Sequence, residues 1–258
     1  MAFLDTDGAT IHYDTIEQGH RPWVSLIPGH MRSLDDYRVL SKKLSEFGFN
    51  VLSIDNRGAG KTTITKPFSI EDMANDLLSV WGHKGIEQSH LFGISMGGML
   101  AQKITLTQPE MVLKLILVST ASASRNIVSS GEWGTSIEEN TKKLAPYFTQ
   151  SFYQRNKFLI DQMIKQINKQ INEGNFLNHS QLQRSAIASF DVERDLQEIK
   201  NESLIIHGEL DAIIPHENAV ALSRKIPNCR LVSIEEVGHL ILAEKPQALY
   251  SEMKSFLT

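Results

Sequence analysis

Leu91-Phe92-Gly93-Ile94-Ser95-Met96-Gly97-Gly98-Met99 is the stretch on which the reading of this chain turns. An apolar run enters it and a helix-like stretch from Met99 to Gln108 leaves it. The G-x-S-x-G core therefore falls where a buried strand bends sharply into a helix. A serine hydroxyl is a poor nucleophile until it is exposed, oriented and given a base. A strained strand-to-helix turn lifts it clear of the sheet, and flanking glycines let neighbouring backbone pass. The helix that follows points its free N–H groups at the place where an oxyanion forms. The motif predicts Ser95 as a nucleophile, provided that a base and an orienting acid follow.

Both follow in order. Ser203-Leu204-Ile205-Ile206-His207-Gly208-Glu209-Leu210-Asp211 reads as a short buried strand ending in a loop with an acid. Leu231 to Ile234 is strand-like, and Val237-Gly238-His239 lies in the loop beyond it. Ser, Asp and His each stand just past the C-terminal end of a strand, which predicts that they converge at one edge of a parallel sheet. Glu209 is the rival acid; the loop position and the following Ala212-Ile213-Ile214-Pro215 favour Asp211.

Outward from these loops the chain alternates. Runs near Phe3 and from Thr10 to Ile16 look like antiparallel strands, while Trp23–Ile27 and Asn50–Ile54 are short, apolar and β-branched, as buried parallel strands are. Leu34 to Phe47 between them predicts a helix. Ile70, Met73, Ala74, Leu77, Leu78 and Trp81 fall at helical spacing behind a Ser69/Asp72 cap. Further strands are expected at Ser89–Phe92, Leu113–Val118, Leu204–Ile206 and Leu231–Ile234, with helices after Met96, Pro215 and Pro246. The pattern is α/β: a mostly parallel central sheet of about eight strands with helices on both faces.

One segment departs from the alternation. From Ala121 to Phe190 there is no strand signal; Ile160, Met163, Ile164, Ile167 and Ile171 form an amphipathic stripe, and Pro146 breaks an earlier helix. The expected organisation is a core of residues 1–120 and 191–258 with a helical cap, 121–190, inserted over the catalytic edge.

Composition narrows the function classes. The 258 residues carry 41% hydrophobic and 22% charged side chains and a formal charge of −4, which gives no reason to expect nucleic acid or an anionic membrane as partner. One cysteine, Cys229, excludes an internal disulfide and reads as an inert thiol. Met1 to Asp14 lacks a basic n-region and an apolar h-region, and no run approaches the roughly 18 apolar residues of a spanning helix, so the cytoplasm is the expected compartment. The 9 histidines show no metal-ligand spacing. No stretch specifies an oligomeric state.

With these residues the chain resembles the α/β-hydrolase superfamily over nearly its whole length. Ile54-Asp55-Asn56-Arg57-Gly58-Ala59-Gly60 resembles that family's D-x-R-G-x-G turn. Ile70 to Asp76 and Gly93 to Met99 are similar to the branch holding 3-oxoadipate enol-lactonases and related carboxylesterases. The resemblance implies Ser95 as nucleophile, Asp211 as acid and His239 as base, with no metal or organic cofactor. It also implies an oxyanion hole from the backbone N–H of Met96 and of the residue after an "HG" pair. That loop here reads Ile27-Pro28-Gly29-His30-Met31, with proline in place of histidine. Alignment gives His30 as the second donor, and one position of slip gives Met31.

The expected activity is hydrolysis of a small or medium carboxylic ester or lactone through an acyl-enzyme. The alternatives are a cofactor-free perhydrolase or haloperoxidase, and a ligand receptor with a slow triad. A serine at the elbow argues against dehalogenases and epoxide hydrolases, which use aspartate there. Met31, Trp133, Tyr147, Phe148, Phe152 and Leu240 are candidate walls of an apolar acyl site. Arg32 and Arg125 are candidate partners for a substrate carboxylate. Gly58-Ala59-Gly60-Lys61-Thr62 invites a phosphate-loop reading, but Asp55 stands where the first glycine is required and Thr62–Thr65 is β-branched. Asp55 and Arg57 are expected to brace the turn instead, and His207 and His216 to be structural.

Overall fold

The computed structural model describes residues 2–18, 20–128 and 131–258. Met1, with which the N-terminal stretch begins, lies outside the described residues, as do positions 129 and 130 of the 121–190 segment. Two antiparallel strands, β1 (Ala2–Thr6) and β2 (Ala9–Ile16), open the chain, followed by β3 (Arg21–Ile27), α1 (Arg38–Glu46) and β4 (Phe49–Ile54). A two-residue strand, β5 (Thr63–Ile64), pairs with β2, so the β-branched run after Lys61 is extended and not helical. Then come α2 (Ile70–Lys84), β6 (Ser89–Ile94), α3 (Met96–Thr107) and β7 (Val112–Val118).

Among the described residues four α-helices intervene before the sheet resumes: α4 (Ile137–Leu144), α5 (Gln150–Arg155), α6 (Lys157–Glu173) and α7 (Phe176–Ile187). The chain closes with β8 (Glu202–Gly208), α8 (Glu217–Lys225), β9 (Cys229–Ile234), α9 (Ile241–Glu244) and α10 (Pro246–Leu257).

Among the described residues the strands form one nine-stranded sheet, ordered β1-β2-β4-β3-β6-β7-β8-β9 with β5 beside β2. From β4 to β9 every pairing is parallel. The order reverses at β3: β4 lies on one side of it and β6 on the other. Connections leaving β3 and β6 therefore diverge, and the crevice between them opens at the C-terminal ends of the strands. Ser95 stands at that end of β6, and Pro28 to Met31 at that end of β3.

The two faces of the sheet are covered by different helices. Ile11, Leu52, Leu91 and Leu117 pack with α2, α3 and α8 on one side; Val24, Phe92, Ile116 and Ile206 pack with α1 and α10 on the other. Each fully buried aliphatic side chain contributes about 1.5–3 kcal/mol relative to exposure. The cap of α2 is a full capping box between Ser69 and Asp72, and Gly85 ends the helix in the left-handed conformation.

The helix expected over 34–47 begins with a 3-10 turn, Leu34–Tyr37, and becomes α-helical only at Arg38. Its first N–H is the reason. Leu34 donates to the Asp55 carboxylate at 2.7 Å, from outside the helix, so the entry turn is pulled towards the β4 loop. Arg57 meanwhile forms a two-bond buried pair with Asp76, at 2.6 and 2.9 Å, which holds the turn after β4 against α2.

A third apolar cluster lies outside the sheet. Leu144, Phe148, Ile160, Ile164, Ile167, Ile171 and Phe176 come from the α4–α7 segment, and Met31 and Leu240 from the sheet loops and Ala243 from α9 pack against it. The two ends of that segment are fastened together: Ser124 N–H donates to Phe190 O at 2.8 Å and Val192 N–H to Ser122 O at 2.9 Å. Among the described residues, no helix is long and apolar enough to cross a membrane.

Candidate active site

Ser95 adopts φ 55°, ψ −120°, a region that side-chain-bearing residues enter only under constraint. The constraint is on both sides of it. Its N–H donates to Val118 O at 2.9 Å, and its carbonyl accepts from Thr120 Oγ1 at 2.7 Å. The flanking glycines are needed for close approach. A Cβ at Gly97 would sit 2.2 Å from Ile27 O, and one at Gly93 would sit 2.2 Å from Gly97 O. Any side chain at either position would force the elbow off the sheet.

Three loops meet at this hydroxyl. His239 Nε2 lies 3.1 Å from Ser95 Oγ, and His239 Nδ1 lies 2.8 Å from Asp211 Oδ2. Burial alone would raise the Asp211 carboxyl, but the facing His239 and His207 imidazoles outweigh it and hold the group well below the usual carboxylate range. The ionised carboxylate is an acceptor, so His239 carries its proton on Nδ1. Nε2 is then the lone pair that accepts from Ser95 Oγ–H. Glu209, the rival acid, is exposed, whereas Asp211 and His239 are buried.

Asp211 is held by more than its histidine. Oδ1 accepts the N–H groups of Ile213 and Ile214, each at 2.9 Å, in the loop that the Ala-Ile-Ile-Pro stretch forms. His207 Nε2 lies 3.2 Å from Oδ2 and 2.8 Å from Ile214 O. A carbonyl can only accept, so His207 Nε2–H donates to Ile214 O, and the same nitrogen lies within ion-pair distance of Asp211 Oδ2. Sequence spacing signals only that His207 is i−4 from the acid, not that it shares it. His216 is turned elsewhere, onto Ser233 Oγ at 2.6 Å.

The loop after β3 passes close by, with a Cβ at Gly29 placed 3.3 Å from Ser95 Cβ. Met31 has φ 55°, and its N–H donates to Gln183 Oε1 of α7 at 2.8 Å. Among the described residues, the N–H groups of His30 and of Met96 have no hydrogen-bond partner. The His30 imidazole lies 3.0 Å from Ser180 O, to which its Nε2–H donates. Burial pushes this imidazole down to about 4, more than its bond to Ser180 raises it, so it is neutral at pH 7.

The α4–α7 segment also grips the loop of His239. Tyr147 O accepts the N–H of His239 at 3.0 Å and of Leu240 at 3.2 Å, and the Tyr147 ring stands edge-on to the imidazole at 5.4 Å. Glu244 accepts from Gly238 N–H at 3.0 Å and from Thr149 Oγ1 at 2.6 Å. Of the candidate wall residues, Met31, Trp133, Tyr147, Phe152 and Leu240 are partly buried against the third cluster, and Phe148 is buried within it, stacked on Phe152 at 5.5 Å. Lys143 extends over the Trp133 ring at 5.1 Å.

Both arginines named as candidate carboxylate partners are ion-paired with acids of this chain. Arg32 is in a two-bond pair with Asp36, and Arg125 is paired with Asp191 and Glu193 on the surface. Burial raises the Cys229 thiol to about 11, which keeps it protonated at neutral pH. Among the described residues no group of three or more His, Cys, Asp or Glu side chains could hold a metal ion.

Comparison with known proteins agrees with this architecture. The chain aligns, at 25% identity over 100% of its length and 99% of the relative's, with proline iminopeptidase PfmaB of Pestalotiopsis fici. It aligns at 26% identity, over 89% of this chain and 80% of the relative, with 2-hydroxymuconate semialdehyde hydrolase of Pseudomonas putida. The crystal structure of the enol-lactonase from Burkholderia xenovorans superposes with a TM-score of 0.84 at 22% identity, covering 99% of each chain, and shares the fold. The profile of the alpha/beta hydrolase fold matches residues 22–246, and the chain belongs to that family.

Proposed function

We propose that this protein is a serine hydrolase that cleaves a small or medium carboxylic ester or lactone through an acyl-enzyme. One observation carries the reading: a strained, partly exposed serine hydroxyl lies 3.1 Å from an imidazole whose far nitrogen lies 2.8 Å from a buried, ionised carboxylate. Ser95 Oγ attacks the substrate carbonyl carbon as its proton passes to His239 Nε2. Asp211 holds the imidazole in the reactive tautomer and stabilises the imidazolium. The tetrahedral intermediate places its negative oxygen on the N–H groups of Met96 and His30. Gln183 occupies the Met31 N–H, which favours His30 as the second donor.

Collapse expels the alcohol, which takes the proton back from Nε2 and leaves an acyl group on Ser95. Water then attacks the acyl carbon as His239 removes its proton. Breakdown returns the Ser95 hydroxyl and releases the carboxylic acid; a lactone gives one hydroxy acid in place of two products. Residues 121–190 act as a cap whose apolar wall, formed with Met31 and Leu240, takes the acyl chain. The hydrolase names of the relatives support hydrolysis as the reaction class, and the enol-lactonase fold neighbour is in keeping with an ester or lactone.

The test is turnover of p-nitrophenyl acetate by Ser95→Ala. We expect a loss of at least about 10⁴-fold in kcat with the fold retained by circular dichroism. Undiminished turnover in that variant removes Ser95 from its role.

A further inference from the structure

Gln183 is wholly buried, and both ends of its amide are engaged with the loops around Ser95. Oε1 accepts the Met31 N–H at 2.8 Å; Nε2 donates to Arg57 O at 2.7 Å. The orientation of the amide is unambiguous, because an N–H can only donate and a carbonyl only accept. One turn earlier on α7, Ser180 O accepts from the His30 imidazole at 3.0 Å. Two consecutive residues of the β3 loop are thus fixed by one helix that lies about 150 positions away in the chain, as the separations of 150 and 152 record.

The geometry has a specific effect. Met31 sits at φ 55°, where backbone is strained, and its N–H belongs to the peptide plane between His30 and Met31. Gln183 fixes that plane. Ser180 fixes the His30 side chain. The backbone N–H of His30 is left without a partner among the described residues, beside the elbow, where a Cβ at Gly29 would lie 3.3 Å from Ser95 Cβ.

We infer that Gln183 is a positioning residue for oxyanion stabilisation: by holding the His30–Met31 peptide it aims the His30 N–H at the developing negative oxygen. The inference rests on the serine-hydrolase reading above and deepens it. It makes the oxyanion contact dependent on docking of α7, so that the segment over the site and the donor beneath it are assembled together.

The experiment compares Gln183→Met, similar in length but without either hydrogen bond, with Gln183→Glu, which keeps an acceptor for Met31 N–H. For Gln183→Met we expect kcat on p-nitrophenyl acetate to fall about 10- to 100-fold with little change in KM, because misalignment of a donor costs part of what its removal costs. Affinity for an aryl trifluoromethyl ketone, which forms an oxyanion on the serine, should fall by the same factor. Gln183→Glu should recover most of both losses. A folded Gln183→Met with unchanged kcat overturns the inference, as does a loss confined to KM with ketone affinity intact. If Gln183→Met does not fold, Gln183→Ala takes its place with the same two readouts: a parallel loss of kcat and ketone affinity supports the role, and unchanged values in the folded variant refute it. Labelling of the wild type with a fluorophosphonate, read by mass spectrometry, separates the two levels. An adduct at Ser95 with an indifferent Gln183→Met rejects only Gln183, and no adduct at Ser95 rejects the hydrolase reading together with the inference built on it.

Discussion

His12 with Asp55 and His239 with Asp211 are two versions of one arrangement. In each, an imidazole Nδ1 meets a carboxylate Oδ2, at 2.6 Å in the first and 2.8 Å in the second, and both histidines are 2% exposed. The difference lies in what surrounds the pair. Asp55 is occupied with structure: Oδ1 accepts Leu34 N–H at 2.7 Å and Oδ2 accepts Lys61 N–H at 2.8 Å, so the carboxylate ties the β3 and β4 loops together. His12 Nε2 has no hydrogen-bond partner among the described residues, and its ring lies 5.0 Å from Phe3. His239 Nε2, by contrast, faces a hydroxyl held in a strained conformation. An imidazole–carboxylate pair is therefore not a site in itself. The group on the far nitrogen makes it one.

The largest effect should come from breaking the second pair. Asp211→Asn should lower kcat about 10⁴-fold, because the amide stabilises the wrong imidazole tautomer. A small loss would mean that His239 needs no acid. The same variant tests stability against pH. Asp211 has its carboxyl depressed in the folded state, so it contributes stability that is present above the ordinary carboxylate range and lost as pH falls through that range towards the folded value. Urea midpoints between pH 5 and pH 3, measured for both proteins, should fall more steeply in the wild type; parallel lines would contradict the assignment.

Breaking the first pair should do the opposite. His12→Phe should destabilise the protein by about 2–4 kcal/mol, since it leaves a buried carboxylate short of a donor. Turnover per folded molecule should remain near that of the wild type. Urea unfolding and active-site titration together check this, and a kinetic defect in the folded fraction would blur the distinction drawn here. The smallest effect concerns the strained residue. Ser95→Gly should be more stable than Ser95→Ala by about 1 kcal/mol, since both lack the hydroxyl but only glycine tolerates φ 55° freely. Equal melting temperatures would mean that the elbow carries no strain.

Much of the frame was legible in local pattern. Short apolar runs marked β3, β4 and β6 to β9, and the Ser69/Asp72 spacing marked the start of α2, because burial on a sheet and capping leave short-range signatures. Ser95, Asp211 and His239 were legible as strand-end residues, while the distances among them are set by the whole sheet. The contacts that escaped sequence reading are long-range and polar. Gln183 and His207 resemble ordinary residues of a helix and a strand until their partners are known. The 3-10 entry to α1 depends on Asp55, which lies 21 positions downstream. Arg32 and Arg125 are candidate substrate partners by sequence alone; the Arg32–Asp36 pair has i,i+4 spacing that the sequence shows, whereas Arg125 meets acids 66 and 68 positions away.

Tyr147 holds the loop of His239 through its carbonyl oxygen, and its ring forms a separate contact with the imidazole. Attachment and surface are thereby uncoupled at one position. The tether belongs to the main chain and persists under exchange of the side chain, while the face presented beside the imidazole changes with every exchange. On the proposed serine-hydrolase reading, a library randomised at 147 should alter substrate selectivity while leaving His239 anchored.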